Sequence, residues 1–187
     1  MFDVKISEKV ISYCWDQLKR YNFGMRSHSN GSKEQQLRGI VAESIVRELC
    51  GLEWIDGSEG FDDGEDLRIG NYICDVKTMK RKCPPLMGYV GNFPEVQLRY
   101  KTNVLIFTST NTTTRVLTIC GWIPKDEFKE RANFFKKGTM RKRTDGTEYE
   151  TQFDNCEIKY SYLRPTFNPD HLMDQIYMGW IPNEKNK

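Results

Sequence analysis

The chain is short of histidine, of paired cysteines and of long apolar runs, and each shortage removes a class of function. Only His28 and His171 could supply imidazole ligands, and the six cysteines (Cys14, Cys50, Cys74, Cys83, Cys120, Cys156) are scattered without a C-x-x-C pair. Neither a zinc ribbon nor a dithiol redox motif is therefore suggested, and reduced, mostly buried thiols are expected. A soft-metal site has few candidates, so any metal is expected to be held by carboxylates. Apolar runs such as Val104 to Phe107 fall far short of the roughly 20 residues needed to cross a bilayer. The opening residues MFDVKISEKV have neither the apolar stretch of a secretory signal nor the Arg/Ser-rich character of a transit peptide. No membrane partner is expected, and the expected compartment is the cytoplasm, of a bacterium or of a host cell.

Strong net charge is also missing. The 28 basic and 26 acidic residues leave only +2, too little to demand a polyanionic partner. The basic residues are nevertheless clustered, with Lys80, Arg81 and Lys82 in one group and Lys136, Lys137, Arg141, Lys142 and Arg143 in another. Hydrophobic residues at 38% and charged residues at 29% fit a soluble globular chain. A length of 187 residues fits one domain over residues 1–187 with a core of its own, and no repeat or linker divides it.

Val10, Ile11, Cys14, Leu18 and Tyr21 recur at helical spacing behind Ser7, which can cap the first turn, and predict a helix over residues 7–21. Ser32 followed by Gln35 reads as a capping box opening a second helix, with Leu37, Ile40, Val41, Ile45 and Leu49 as its apolar stripe and Gly51 as its stop. From Gly64 the period changes to alternation. Leu67, Ile69, Tyr72, Cys74 and Val76 are apolar and flank the dipeptide Gly70-Asn71, which suits a type II′ hairpin turn. Residues 79–103, rich in glycine and proline, read as a long loop. Residues 104–109 and 115–123 read as strands, and Pro124 opens a helix running to about Phe135. Further strands are expected near Tyr149 to Phe153 and Glu157 to Tyr162. Trp122, Phe128, Phe134 and Phe135 read as core.

With Gly70 and Asn71 as the turn, Ile69 faces Tyr72, Leu67 faces Cys74 and Asp66 faces Asp75. Like charges directly opposed on a sheet destabilise it. Removing one of them is therefore expected to leave the metal-free protein as stable as before or more so. Lys77 and Arg68 share the face of Asp75, and the apolar opposite face is expected to be the buried one. Two converging carboxylates suit a hard divalent cation that also takes water and phosphate oxygens. The alternative is an ordinary sheet face on which Asp66 and Asp75 pair with Arg68 and Lys77. Asp62 and Asp63 also precede the hairpin, but Asp66 is the one that falls opposite Asp75.

The segment Asp66-Leu67 followed by Asp75-Val76-Lys77-Thr78 resembles the signature of the PD-(D/E)xK nuclease superfamily, with Glu65 where the family's proline would stand. Gly39-Ile40-Val41-Ala42-Glu43 is similar to the family's helix glutamate placed four residues after a glycine. The order helix, hairpin, strand, strand, helix resembles its restriction-endonuclease-like αβββαβ core, an α/β fold with a mixed central sheet flanked by helices. The match spans roughly residues 32–135, with an N-terminal helix before it and a C-terminal extension after it. The resemblance implies Asp66 and Asp75 as principal metal ligands, assisted by Glu43, with Lys77 as the catalytic lysine. It further implies Mg²⁺, for which Mn²⁺ substitutes, and a nucleic-acid substrate, DNA before RNA or branched DNA. Phage, mobile elements and restriction systems are common settings for compact members, and the resemblance leaves room for a homodimer. Lys80, Arg81, Lys82, Gln97, Lys136, Lys137, Arg141, Lys142 and Arg143 are the expected nucleic-acid contacts. The competing expectation is an inactive nucleic-acid-binding or assembly protein on the same fold.

Overall fold

The computed structural model describes residues 1–21, 23, 32–59, 64–142 and 146–178. Both predicted helix starts are present. Ser7 Oγ accepts from the Val10 amide at 3.2 Å and begins α1 (Glu8–Arg20). Ser32 and Gln35 bond each other's backbone amides at 2.7 and 3.3 Å, and α2 (Lys33–Leu49) follows. Each cap satisfies amides that no preceding helical turn can reach. Gly51, at φ +73°, ends α2.

A strand the alternation did not announce, β1 (Phe2–Lys5), precedes α1. The predicted hairpin is β2 (Leu67–Ile69) and β3 (Tyr72–Arg81), in the expected register, with positive φ at Gly70 and not at Asn71. Residues 79–103 are not one loop. β3 runs on to Arg81, and β4 (Val90–Pro94) and a 3₁₀ turn (Glu95–Arg99) follow before β5 (Val104–Asn111) and β6 (Val116–Pro124). The helix after Pro124, α3 (Lys125–Arg131), stops short of the expected Phe135, because Asn133–Phe135 forms β7. β8 (Met140–Lys142) pairs with β9 (Glu148–Glu150), and β10 (Asn155–Lys159) and α4 (Pro169–Tyr177) complete the described chain.

The central sheet has the order β1-β6-β5-β3-β2, antiparallel throughout except that β3 and β5 run parallel. This is an α/β fold with a mixed sheet and flanking helices. The order α2, β2, β3, β5, β6, α3 follows the expected succession, but the strand after α3 joins a second sheet, β4-β10-β7. That second sheet corrects the expectation of one buried face. α1, α2 and α4 cover Cys74, Val76, Val104, Ile106, Leu117 and Ile119. On the other face Leu105, Phe107, Cys120 and Ile123 meet Phe93 of β4, Cys156 and Ile158 of β10, and Phe128 of α3. Every residue of β5 is therefore buried. Trp122 and Phe128 are core as expected, whereas Phe134 is 55% exposed.

All six cysteines are free thiols, four of them buried, and burial pushes Cys14 and Cys50 up to about 11 and Cys120 up to about 12. The two layers pack closely at Gly91, where a Cβ would collide with the buried Phe107 ring. Gly91→Ala should therefore overpack the second core and cost about 1–3 kcal/mol. Gly88→Ala should be near neutral, since nothing lies within 4 Å of that position. Urea unfolding of the two variants checks this, and equal stabilities would contradict the packing of β4 on β5.

Candidate active site

The hairpin ladder is regular through Leu67 and Cys74 and then changes. The Asp66 amide donates to the Cys74 carbonyl at 3.0 Å, and its carboxylate Oδ2 accepts from the Val76 amide at 2.6 Å. A backbone amide at this depth needs an acceptor, and just before β2 begins the Asp66 side chain supplies a charged one. Asp66 thus lies against the backbone of β3, its carboxylate one peptide unit from Asp75, rather than directly opposite Asp75 as the simple register implied. Arg47 of α2 fixes the backbone there from behind, donating to the Asp66 carbonyl at 2.7 Å and to the Glu53 carbonyl at 2.8 Å.

Asp75 points to the second-core face and is fully buried. Its carboxylate forms an ion pair with Lys77, two residues along the same face, whose side chain keeps 21% of its exposure. The Lys77 ammonium also lies 5.4 Å from the centre of the Phe93 ring, and its carbonyl accepts from Thr108 Oγ1 at 3.2 Å. The lysine is thereby held between β4 and β3. Arg68 does not take part, because its guanidinium pairs with Glu65 at the surface.

Glu43 is buried on α2, one helical turn before Arg47 and on the same side of the helix. Its charge adds to burial in raising the Cys14 thiol. Among the described residues, no three His, Cys, Asp or Glu side chains form a group that could hold a metal ion. Asp66 and Asp75 share one peptide unit of β3, because Asp66 Oδ2 accepts from the amide that follows Asp75. They are hard oxygen ligands of the type and number Mg²⁺ takes from a protein, with water and phosphate completing its shell.

Sequence reading missed Lys125. It follows β6 at the end of the sheet where β3 and β5 begin, is 7% exposed, and donates through its ammonium to the Tyr100 carbonyl and through its amide to the Asn103 carbonyl. Burial lowers its pKa, and the Asp75 charge acts in the opposite direction, which places a second cation within electrostatic reach of Asp75. The signal was available only through register. Ile123 pairs with Leu105, which pairs with Asp75, and Lys125 is two residues further along that face.

The predicted nucleic-acid contacts separate into groups. Lys82, Lys136, Lys137 and Lys142 are exposed. Lys80 is exposed too, but alternation along β3 puts it on the face away from Asp75 and Lys77. Arg81 and Arg141 are committed inside the protein. Arg81 lies over the Tyr89 ring at 4.4 Å and donates to the Val90 carbonyl, while Arg141 lies over Phe135 at 3.6 Å and pairs with Glu157. Gln97 is in the 3₁₀ turn before β5. Its Oε1 is buried with no hydrogen-bond partner among the described residues. Arg143, Asp62, Asp63 and His28 fall outside the described residues.

The ion pair reverses the stability ordering expected from two opposed like charges. In EDTA, Asp75→Asn should lose about 1–3 kcal/mol, because Lys77 loses its partner in a partly buried position. Lys77→Met should lose more, since it strands the more deeply buried charge. The double substitution should recover much of that loss. Urea unfolding of the three variants measures this, and an Asp75→Asn protein as stable as the parent would refute the pairing.

Compared with known proteins, the chain matches no family model, no curated protein and no solved structure.

Proposed function

We propose that this protein is a divalent-metal-dependent nuclease that hydrolyses phosphodiester bonds in DNA, built on a restriction-endonuclease-like version of its α/β fold and acting in the cytoplasm. One observation carries the reading. The Asp66 carboxylate, just before β2, accepts from the amide that follows Asp75 on β3, and Lys77 shares the face of Asp75 and pairs with it.

Asp66 and Asp75 would hold Mg²⁺ or Mn²⁺, with Glu43 as an outer participant one helical turn from the residue that fixes Asp66. Bound there, the cation supplies Lewis acidity and a water ionised near neutral pH. The protein's own groups do the positioning. The Val76 amide and Arg47 set the direction of Asp66, and the buried Asp75 is held by its ion pair with Lys77. Lys77, more exposed than Asp66 and Asp75, is the donor placed to meet a phosphate oxygen and stabilise charge developing on it. The exposed Lys82, Lys136, Lys137 and Lys142 supply sequence-independent attraction to a phosphate backbone.

A second reading rests on a specific observation. Asp75 is completely buried and already paired with Lys77. The same residues then serve stability, and the protein binds nucleic acid without cutting it.

Incubation with plasmid, single-stranded DNA, four-way junctions and RNA, each with Mg²⁺, Mn²⁺ or EDTA, separates the two. Metal-dependent cleavage is expected on DNA. Asp75→Asn and Lys77→Ala should each reduce it about 100-fold or more, and Glu43→Gln should reduce it less. Undiminished cleavage by folded Asp75→Asn would overturn the site. Binding without cleavage under every condition would favour the second reading.

A further inference from the structure

A cavity lies at the C-terminal end of β3, on the helix-covered face of the sheet. It is open to solvent and has a volume of about 330 Å³ between the start of α2, the end of β5 and the residue following β1. Its floor is apolar. Ile6 and Val41 are buried there and Leu37 is half-buried. None of Glu43, Asp66, Asp75 and Lys77 lines it. Lys80 does, because it is three residues beyond Lys77 and therefore on the other face.

The charged groups around this floor are unequal. Arg38, Lys80 and Arg115 stand against one carboxylate, Glu34. Arg115 is neutralised from outside the cavity by its ion pair with Glu8. Arg38 and Lys80 are different: among the described residues neither side chain makes a hydrogen bond or an ion pair. Arg38 is also half-buried, and desolvation disfavours its charge, which Glu34 offsets only in part. A guanidinium carries five donors in a rigid fork suited to carboxylate and phosphate. Nearby, Asn111 spends its amide oxygen on the Thr113 and Thr114 amides at 3.0 and 3.2 Å, so the amide nitrogen it offers is a donor. Arg38, Lys80 and the Asn111 amide nitrogen thus call for an acceptor, while the floor calls for apolar surface.

We propose that this cavity binds a small organic anion: an apolar body on the Ile6, Leu37 and Val41 floor, and a carboxylate or phosphate monoester head between Arg38 and Lys80. Its size and lining are those of a small-molecule site, mostly apolar with a few convergent polar groups. The proposal is independent of the nuclease reading, because the two sites share no residue.

The test is calorimetric titration of the full chain with decanoate and with 1-naphthyl phosphate, which distinguish an acyl carboxylate from an aromatic phosphate. Decanol and decyltrimethylammonium serve as neutral and cationic counterparts. At least one anion should bind, and at least tenfold more tightly than either counterpart. Arg38→Gln should weaken it tenfold or more, the exposed Lys80→Gln about threefold, and Glu34→Gln should tighten it. The Lys80 and Glu34 variants, both at exposed positions, keep the test decisive if Arg38→Gln proves unstable. Absence of binding by both anions, equal binding of decanol, or parent-like affinity in all the charge variants would overturn the proposal, whatever the result with DNA.

Discussion

A carboxylate taken fully out of water costs several kcal/mol unless a cation meets it at close range. Asp75 is in that position in the middle of β3, and its partner comes from the same strand two residues on. Much of the surrounding structure serves to hold that pair. β4 carries Phe93 over the Lys77 ammonium, β5 lies alongside β3 in parallel and bonds the Lys77 carbonyl, and Lys125 brings a second positive charge from the end of β6. The Asp66 carboxylate is drawn to the same stretch because the Val76 amide, beyond the β2 pairing, needs an acceptor. A site with two acids and a lysine on one hairpin follows from backbone satisfaction and charge compensation together.

The same interactions show what a sequence alone can carry. Ser7, Ser32 with Gln35, Gly51 and Gly70-Asn71 act within a few residues, and each produced the cap or turn expected of it. The hairpin register followed, and with it the neighbourhood of Asp66, Asp75 and Lys77. Residues 79–103 were misread because the glycines and prolines there suggest a loop. β4 exists because it pairs with β10, about 65 residues away in sequence, and no local pattern announces such a partner. For the same reason the Asp75 face was mistaken for the exposed one. Its cover comes from β4, β10 and α3, none of which is near β3 in sequence except the strand that was read as loop. The Asp66 side chain in place of a backbone carbonyl, and Lys125 at the strand ends, are likewise visible only once the sheet is assembled.

The two faces of β3 lead to different chemistry. Toward the second sheet, Asp75 and Lys77 pair beside the Phe93 ring. Toward the helices, the strand ends in an apolar cavity edged by Arg38 and Lys80. The alternation of a single ten-residue strand separates them, so substitutions in one need not disturb the other.

The central claim is that Asp66 and Asp75 together form a cation site, and divalent-ion dependence of thermal stability tests it without any knowledge of the substrate. A ligand that binds only the folded chain raises its melting temperature in a concentration-dependent way. Melts of the parent and of Asp75→Asn should be followed from EDTA through increasing Mg²⁺ and Mn²⁺. The account predicts a progressive rise for the parent and almost none for the variant, whereas no rise in either protein, or an equal rise in both, would contradict it.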